Sequence, residues 1–533
     1  LLSKVGLFKN NVAPKSALRK INEKNKIDLT SQDSLILKSW EDSMSPPLPA
    51  FYVENFNGGV KLWIHIPNIA ERIAIGGNLD LWLRNRGEAQ CLGDIWSPLL
   101  NDNLNKSAKF NVNSSNSAIS LCIDIDQQGL VKEWEFQLTE IKPKAEISID
   151  LLKILNNKKP NSRAIPIKLK PIKDYLNQLQ TLLYAIELVS KKEKEEGLIE
   201  LQLPSPEIDH LKELNKNDPS LNINQWQLPI NKEDPQSIIS PLIRLANRIY
   251  FNHSNALLLP SFIVNSTEIE SNNLNDIAKV ALAMDLELEL DEEGVPSASE
   301  LAKSFSTNKC RRVLDKMLKN YLPKRYLSIN KPNRILSEGK TCQSSTNTDI
   351  ANIISPWCFP GSNYCDLANQ YILLYILKEG KSKPSARSKI SVNLGKKDSW
   401  VQINWNTFND STIDNIDKII SEPTLNILNK IRRKSSILKS QIISMAKSRS
   451  AEKLVNKEVI AQISGVQSYG FFAELPPYLA EGLVHVSTLN DDWYEYRSRQ
   501  NKLVGRKSKK SYQLGDQVKV KVIKIDILKN QID

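Results

Sequence analysis

Paired cysteines are missing from this chain. Its six cysteines, at 91, 122, 310, 342, 358 and 365, form no Cys-x-x-Cys pair, and none stands at metal-ligand spacing from the four histidines. A thiolate zinc centre and a disulfide scaffold are therefore not expected; reduced thiols in an intracellular, cytoplasmic protein are. Long hydrophobic runs are missing too. The apolar stretch at 370–377 is far shorter than the roughly 18 to 20 residues that span a bilayer, so no membrane partner is expected. Only 19 glycines occur in 533 residues, which excludes a collagen-like chain. The first residues lack an initiating methionine and the apolar core of a signal peptide, so Leu1 reads as a fragment edge.

What is present is a chain with 41% hydrophobic and 25% charged residues, long enough for at least two domains. Its net charge of +12 is uneven: from Lys430 onward, 20 basic residues stand against 10 acidic ones, giving +10. A concentrated positive field suits a polyanion, either nucleic acid or an anionic membrane surface, although charge alone is equally compatible with a solvated surface.

Alternation at Val60, Leu62, Ile64 and Ile66 predicts a half-buried strand, and residues 118–126 and 131–138 predict a β-hairpin around Gly129. The spacing of Ile172, Leu176, Leu179, Leu183, Ile186 and Val189 predicts a helix over 171–196 ended by Gly197; a second is expected over 238–250. Residues 265–275 and 344–352 read as polar loops. The Lys/Ser/Pro-rich stretch 379–392 and the basic stretch 430–449 read as connectors, the latter with helical potential.

The strongest pattern is Gly465-Val466-Gln467-Ser468-Tyr469-Gly470-Phe471-Phe472, followed by Glu481-Gly482-Leu483-Val484-His485. A glycine flanked by aromatics lets Tyr469 and Phe472 stand on one face as stacking platforms beside His485, with Phe471 turned inward. The run 518–526 alternates Val and Ile with Lys519, Lys521 and Lys524, as one barrel strand with a basic outer face would. These residues resemble the S1-type OB barrel. Asn490-Asp491-Asp492-Trp493-Tyr494, Leu503-Val504-Gly505-Arg506-Lys507 and Tyr512-Gln513-Leu514-Gly515-Asp516 resemble the ribonuclease R version of it. That resemblance implies RNA contacts at Tyr469, Phe472, His485 and Asp526, leaves Asn530 where many such barrels carry arginine, and implies a last strand truncated at Asp533.

Upstream, Trp63-Ile64-His65-Ile66-Pro67-Asn68, Gly77-Asn78-Leu79-Asp80, Leu83-Arg84-Asn85-Arg86-Gly87 and Tyr364-Cys365-Asp366-Leu367 occur in the order of the ribonuclease II/R family. The resemblance implies an α+β protein: an RNB-type mixed α/β domain at 28–380 behind a basic segment 1–27, a connector at 381–455, and an all-β S1-type barrel at 456–533. It also implies Mg²⁺-dependent 3′ to 5′ exoribonuclease chemistry on single-stranded RNA. The family's Mg²⁺-binding aspartates, however, fall on Pro46, Leu48 and Pro49, and its Ser-Pro-Ile-Arg-Arg-Tyr becomes Ser355-Pro356-Trp357-Cys358-Phe359-Pro360. Lost or impaired activity is the expectation. Two alternatives stay open: an active nuclease using Glu41, Asp42 and Asp366 as ligands, and an RNA-binding adaptor whose larger domain docks a protein.

Overall fold

The computed structural model describes residues 26–40, 44–92, 95–158, 165–199, 201, 203, 238–266, 271–290, 292, 294–322, 324–331, 353–497, 502–527 and 529–533. The predicted loop 344–352 and the candidates Glu41 and Asp42 lie outside them. The chain divides into two compact units, one built from 1–196, 234–266 and 325–435, the other from 197–233, 267–324 and 436–533. Along the chain run helices α1 (Asn78–Arg86), α2 (Leu176–Glu195), α3 (Ser240–Ala256), α4 (Ser271–Ala283), α5 (Ala298–Phe305), α6 (Arg311–Tyr321), α7 (Tyr364–Glu379), α8 (Asp410–Ile419) and α9 (Glu422–Ala451).

The first unit is organised by a seven-stranded sheet of β1 (Ile27–Leu29), β2 (Leu35–Lys38), β3 (Ala50–Phe56), β4 (Gly59–Pro67), β5 (Asn116–Ile125), β6 (Val131–Ile141) and β7 (Ala145–Ser148), in the order β1-β6-β5-β4-β3-β2-β7. The two outermost pairings are parallel and the others antiparallel. Alternation sets the register of the central pair: Leu62, Ile64 and Ile66 oppose Ile123, Leu121 and Ile119, all fully buried. The predicted hairpin forms as β5 and β6. Asp126 Oδ1 accepts from the amides of Gln128 and Leu130 in its turn, and Gly129 takes the left-handed conformation there, at φ +78°.

Helices α2, α3 and α7 supply the core of this unit, and α7 is buried nearly all round. The helix expected from 171 begins later: a 3₁₀ segment spans Ile167–Tyr175, where Pro171 and a non-helical Ile172 (φ −108°, ψ 19°) interrupt the α pattern. The second expected helix is α3, with Pro241 in its first turn. Residues 271–275, expected as loop, open α4 instead. Isolated polarity did not register the apolar positions that follow, Leu274, Ile277 and Ala281, which spaced three and four apart bury one face. Residues 430–449 lie within α9, and Ile416 and Ile419 of α8 join the core, so much of the span expected as connector is helical. A further strand pair, β8 (Ser261–Ser266) with β9 (Arg325–Asn330), completes the first unit.

In the second unit a β-barrel is built from β10 (Glu458–Gln467), β11 (Gly470–Leu475), β12 (Ala480–His485), β13 (Tyr494–Arg497), β14 (Lys502–Gly505), β15 (Ser511–Gln513), β16 (Gln517–Lys521), β17 (Ile525–Asp526) and β18 (Gln531–Ile532). One sheet runs β12-β11-β10-β16 and another β13-β14-β15. The single strand expected over 518–526 is split. Val522 leaves the ladder to exchange backbone bonds with Asn456 and Lys457, and β17 restarts as a short hairpin with β18. Helices α4, α5 and α6 form a small apolar cluster that includes Leu514 of the barrel. Buried Glu474 on β11 receives Lys316 Nζ at 2.6 Å and Arg312 Nη2 at 3.3 Å from α6.

Candidate functional site

Residues 44–49 lead into β3, where a loop of converging carboxylates would have to sit. Three of the last four are proline, which fixes φ and removes amide donors. Pro46, Pro47, Leu48 and Pro49 are all buried. Leu48 packs in an apolar cluster with Ile36, Ala50, Ala118 and Ile141. The loop is tied down from one side by Asn105, whose Nδ2 donates to the Ser45 carbonyl at 3.2 Å.

The second element expected to carry chemistry comes to the same place. Phe359 packs onto the Leu48 cluster, and Gly361 lies so close to Pro47 that a Cβ there would stand 2.5 Å from its Cδ. The side chains that stand where the family resemblance puts arginines are Cys358, buried, and Phe359, half-buried. Trp357 is fully buried: its amide donates to Asn247 Oδ1 at 3.2 Å, its Nε1 donates to the Ala246 carbonyl at 3.1 Å, and its ring meets Phe136 edge-on at 5.5 Å. Burial in this apolar setting, with Asp366 beside it, pushes the Cys358 thiol far above its ordinary range, so it is no nucleophile.

Asp366 sits in the first turn of α7 and is 3% exposed. Its Oδ1 accepts the Phe359 amide at 2.9 Å and its Oδ2 the Cys365 thiol at 3.4 Å. Desolvation pushes its carboxyl up to about 6, against the opposing effect of those hydrogen bonds. Such a group anchors the 359–363 turn. Asp80 is equally committed: it accepts from Tyr364 Oη at 2.7 Å, Arg84 Nη2 at 2.8 Å and the Gly76 amide at 2.9 Å. Asn68, just after β4, donates to Glu71 Oε2 at 3.0 Å, and Glu71 in turn pairs with Lys26 and Lys378.

A Mg²⁺ ion takes oxygen ligands in near-octahedral geometry. Pro46, Leu48 and Pro49 offer no side-chain oxygen. Among the described residues no three His, Cys, Asp or Glu side chains converge as metal ligands would. The residues at this place do not fit the ion.

The barrel presents a different surface. Tyr469 is 44% exposed and meets half-buried Phe472 edge-on, ring centres 6.3 Å apart. Phe471 is buried and stacks on Tyr512 at 4.9 Å, the inward orientation that alternation requires. Cross-strand partners share a face, so the pairs Phe472/Leu483 and Gly470/His485 place Phe472 and His485 on one side of the sheet. Glycine is required between the aromatics: Gly470 has φ +153°, and a Cβ would lie 2.1 Å from the Val484 carbonyl oxygen. His485 Nδ1 accepts the Ser487 amide at 3.2 Å.

The lysines divide. Lys519 and Lys521 are exposed on β16, but Lys519 Nζ pairs with Glu458 Oε2 at 2.6 Å. Lys524 is exposed beyond the strand's end. Asp526 is half-buried, and its Oδ1 accepts the Lys529 amide at 3.1 Å, closing the turn before β18 in which Asn530 is left-handed at φ +52°. Sequence reasoning missed Asn247, Asn369 and Gln370, whose buried amides clamp the backbone at Trp357, at Pro356 and at Ile69 respectively. Their only sequence signal is polarity inside otherwise apolar helical runs.

Comparison with known proteins agrees with this architecture. The RNB domain model matches residues 27–379, and the S1 RNA binding domain model matches residues 453–533. The acetazolamide conferring resistance protein zam of Synechocystis is 29% identical over 477 residues, covering 88% of this chain and 57% of that protein. The chain thus spans little more than half the length of that relative. Ribonuclease R of Buchnera aphidicola is 42% identical over 82 residues, 15% of this chain and 11% of that one. Among solved structures, the apo form of Mycoplasma genitalium RNase R superposes with a TM-score of 0.72 at 18% identity, covering 96% of this chain and 71% of that one. Yeast Ssd1, described as a pseudonuclease, superposes with a TM-score of 0.59 at 14% identity, covering 92% and 54%. Among the described residues no helix is long and apolar enough to cross a membrane. With its family model spanning well over half of the sequence, the chain belongs to the RNB ribonuclease family and carries a C-terminal S1 domain.

Proposed function

We propose that this chain binds single-stranded RNA through its barrel and does not carry out the Mg²⁺-dependent exoribonuclease reaction of the active members of its family. One observation carries the reading: the loop that must gather carboxylates is a buried apolar plug of Pro46, Pro47, Leu48 and Pro49, packed against the segment that has exchanged its arginines for Cys358 and Phe359. Phosphodiester hydrolysis by two metal ions needs anionic ligands to hold the cations and cations to neutralise the developing charge. The described residues supply neither there.

RNA binding rests on the exposed Tyr469, the Phe472 and His485 beside it and the exposed lysines of β16. Aromatic platforms stack any base, at about 1 to 3 kcal/mol each, so little sequence preference is expected. That a structure of M. genitalium RNase R holds single-stranded RNA supports the same partner class here.

The test is incubation of the purified chain with end-labelled single-stranded RNA and Mg²⁺ or Mn²⁺, beside an EDTA control and a Glu41→Ala/Asp42→Ala variant. RNA is expected to be retained intact and bound. Tyr469→Ala/Phe472→Ala is expected to weaken binding by about 2 to 4 kcal/mol. EDTA-sensitive shortening abolished in the Glu41/Asp42 variant would make those two carboxylates ligands and overturn the proposal.

A further inference from the structure

Immediately before β13 in the barrel, Trp493 stands 70% exposed. An indole left so far in water gains little from burial, yet its backbone is held on several sides. The Trp493 amide donates to Asp492 Oδ1 at 2.7 Å, and its carbonyl accepts the Arg506 amide at 2.9 Å. The other oxygen of the same carboxylate, Asp492 Oδ2, accepts the amides of Lys507 at 2.9 Å and Ser508 at 2.6 Å. Those backbone donors, Ser508 first, hold the Asp492 carboxyl down at about 2, so the clamp stays charged at any physiological pH. Glycine makes the approach possible: a Cβ on Gly505 would lie 2.6 Å from Asp492 Oδ2. The turn at 505–510 and the backbone of Trp493 are therefore pinned together.

That turn carries four basic residues, and they are not equivalent. Arg506 Nε donates to Glu495 Oε1 at 2.7 Å. Lys510 Nζ lies 3.0 Å from Asp491 and over the Tyr512 ring. Lys507 and Lys509 are exposed and make no ion pair among the described residues. Lys509 takes the left-handed conformation at φ +57°, a turn position that an unbranched lysine tolerates at modest cost. Two ammonium groups that make no ion pair among the described residues, on the turn bonded to the backbone of an exposed tryptophan, form a pattern of charge and π-face complementary to a nucleotide: the phosphates take the lysines and the base takes the ring.

The geometry points to a second RNA contact on this barrel, in which Trp493 stacks a base of single-stranded RNA while Lys507 and Lys509 hold the neighbouring phosphates. It lies outside the Tyr469, Phe472 and His485 surface and rests on the reading of the chain as an RNA-binding protein. Asp492 is a positioning residue for it.

The experiment titrates the full chain into a fluorescein-labelled oligouridylate in EDTA, reading anisotropy over a range of salt. Trp493→Ala is expected to weaken binding about tenfold, within the span of one stacked base, and Trp493→Phe to recover most of the loss. Lys507→Gln/Lys509→Gln is expected to lower the slope of log K against log salt by about 1.4, two single-strand phosphate contacts' worth. Tyr469→Ala/Phe472→Ala serves as the reference, and thermal melts establish that each variant folds. Wild-type affinity in folded Trp493→Ala, with the reference variant weakened, overturns this contact and leaves RNA binding by the barrel intact. Trp493→Phe as weak as Trp493→Ala overturns the stacking. Absence of binding by the unaltered chain overturns both readings at once.

Discussion

The loop at 46–49 and the surface at 469–472 have opposite surroundings. At the loop Ala50 to Phe56 pair along β4, and Pro46 to Pro49 are all buried, Leu48 within an apolar cluster. At the barrel the glycine that only a close strand crossing requires is retained between an exposed Tyr469 and a half-buried Phe472. The contrast separates what a fold needs from what a site needs. Proline and leucine suit a core, because apolar burial stabilises it. An aromatic left in water contributes little to folding, so its retention on this sheet points toward a ligand.

The largest effect is expected from placing a carboxylate in the plug. Leu48→Asp buries a charge among Ile36, Ala50, Ala118 and Ile141, and is expected to cost about 4 kcal/mol in denaturant unfolding without producing nuclease activity. A folded, stable and RNA-degrading variant would mean that the loop is a metal site one substitution away.

A smaller effect belongs to Asp366. Its folded pKa, about 6, lies above the ordinary 3.8, so the native state holds its proton more tightly than the unfolded chain does. The stability it contributes is present below about pH 4 and is lost as pH rises through 6. Asp366→Asn keeps an acceptor for the Phe359 amide and removes the buried charge. It is expected to raise stability by about 2 kcal/mol at pH 8 and by almost nothing at pH 4. Calorimetric melts at the two pH values check this, and loss of stability at pH 8 would show that the carboxylate has an ionic role at the plug.

The smallest effect distinguishes lysines on the barrel. Because Lys519 is paired with Glu458, Lys519→Gln is expected to change RNA affinity by less than about 0.5 kcal/mol, the scale of an exposed ion pair, and by less than Lys521→Gln does. Equal losses in the two variants would show that RNA displaces Glu458.

Much of this was legible in the sequence where the physics is local. The alternation of Val60 to Ile66 has one solution, a strand with one face in the core, and it appears as β4 with Leu62, Ile64 and Ile66 fully buried. The inward turn of Phe471 follows from the same period of two. Local rules misjudged the start of the helix before Leu176, where Pro171 fits a 3₁₀ turn, and the unity of 518–526, where Val522 bonds to Asn456 and Lys457 rather than to the ladder.

Which atoms are available can be read from the residues alone: no carboxylate at 46, 48 or 49, no arginine at 358 or 359, and aromatics around a glycine at 470. What those atoms face depends on the folded chain. Residues three hundred positions apart meet, so that Gly361 closes on Pro47 and Phe359 on the Leu48 cluster. The same holds for Asp366, which as a letter was a candidate ligand and in place is a buried acceptor for a turn. Composition is a property of positions along the chain, whereas burial, pairing and charge state depend on neighbours that the chain brings together only by folding.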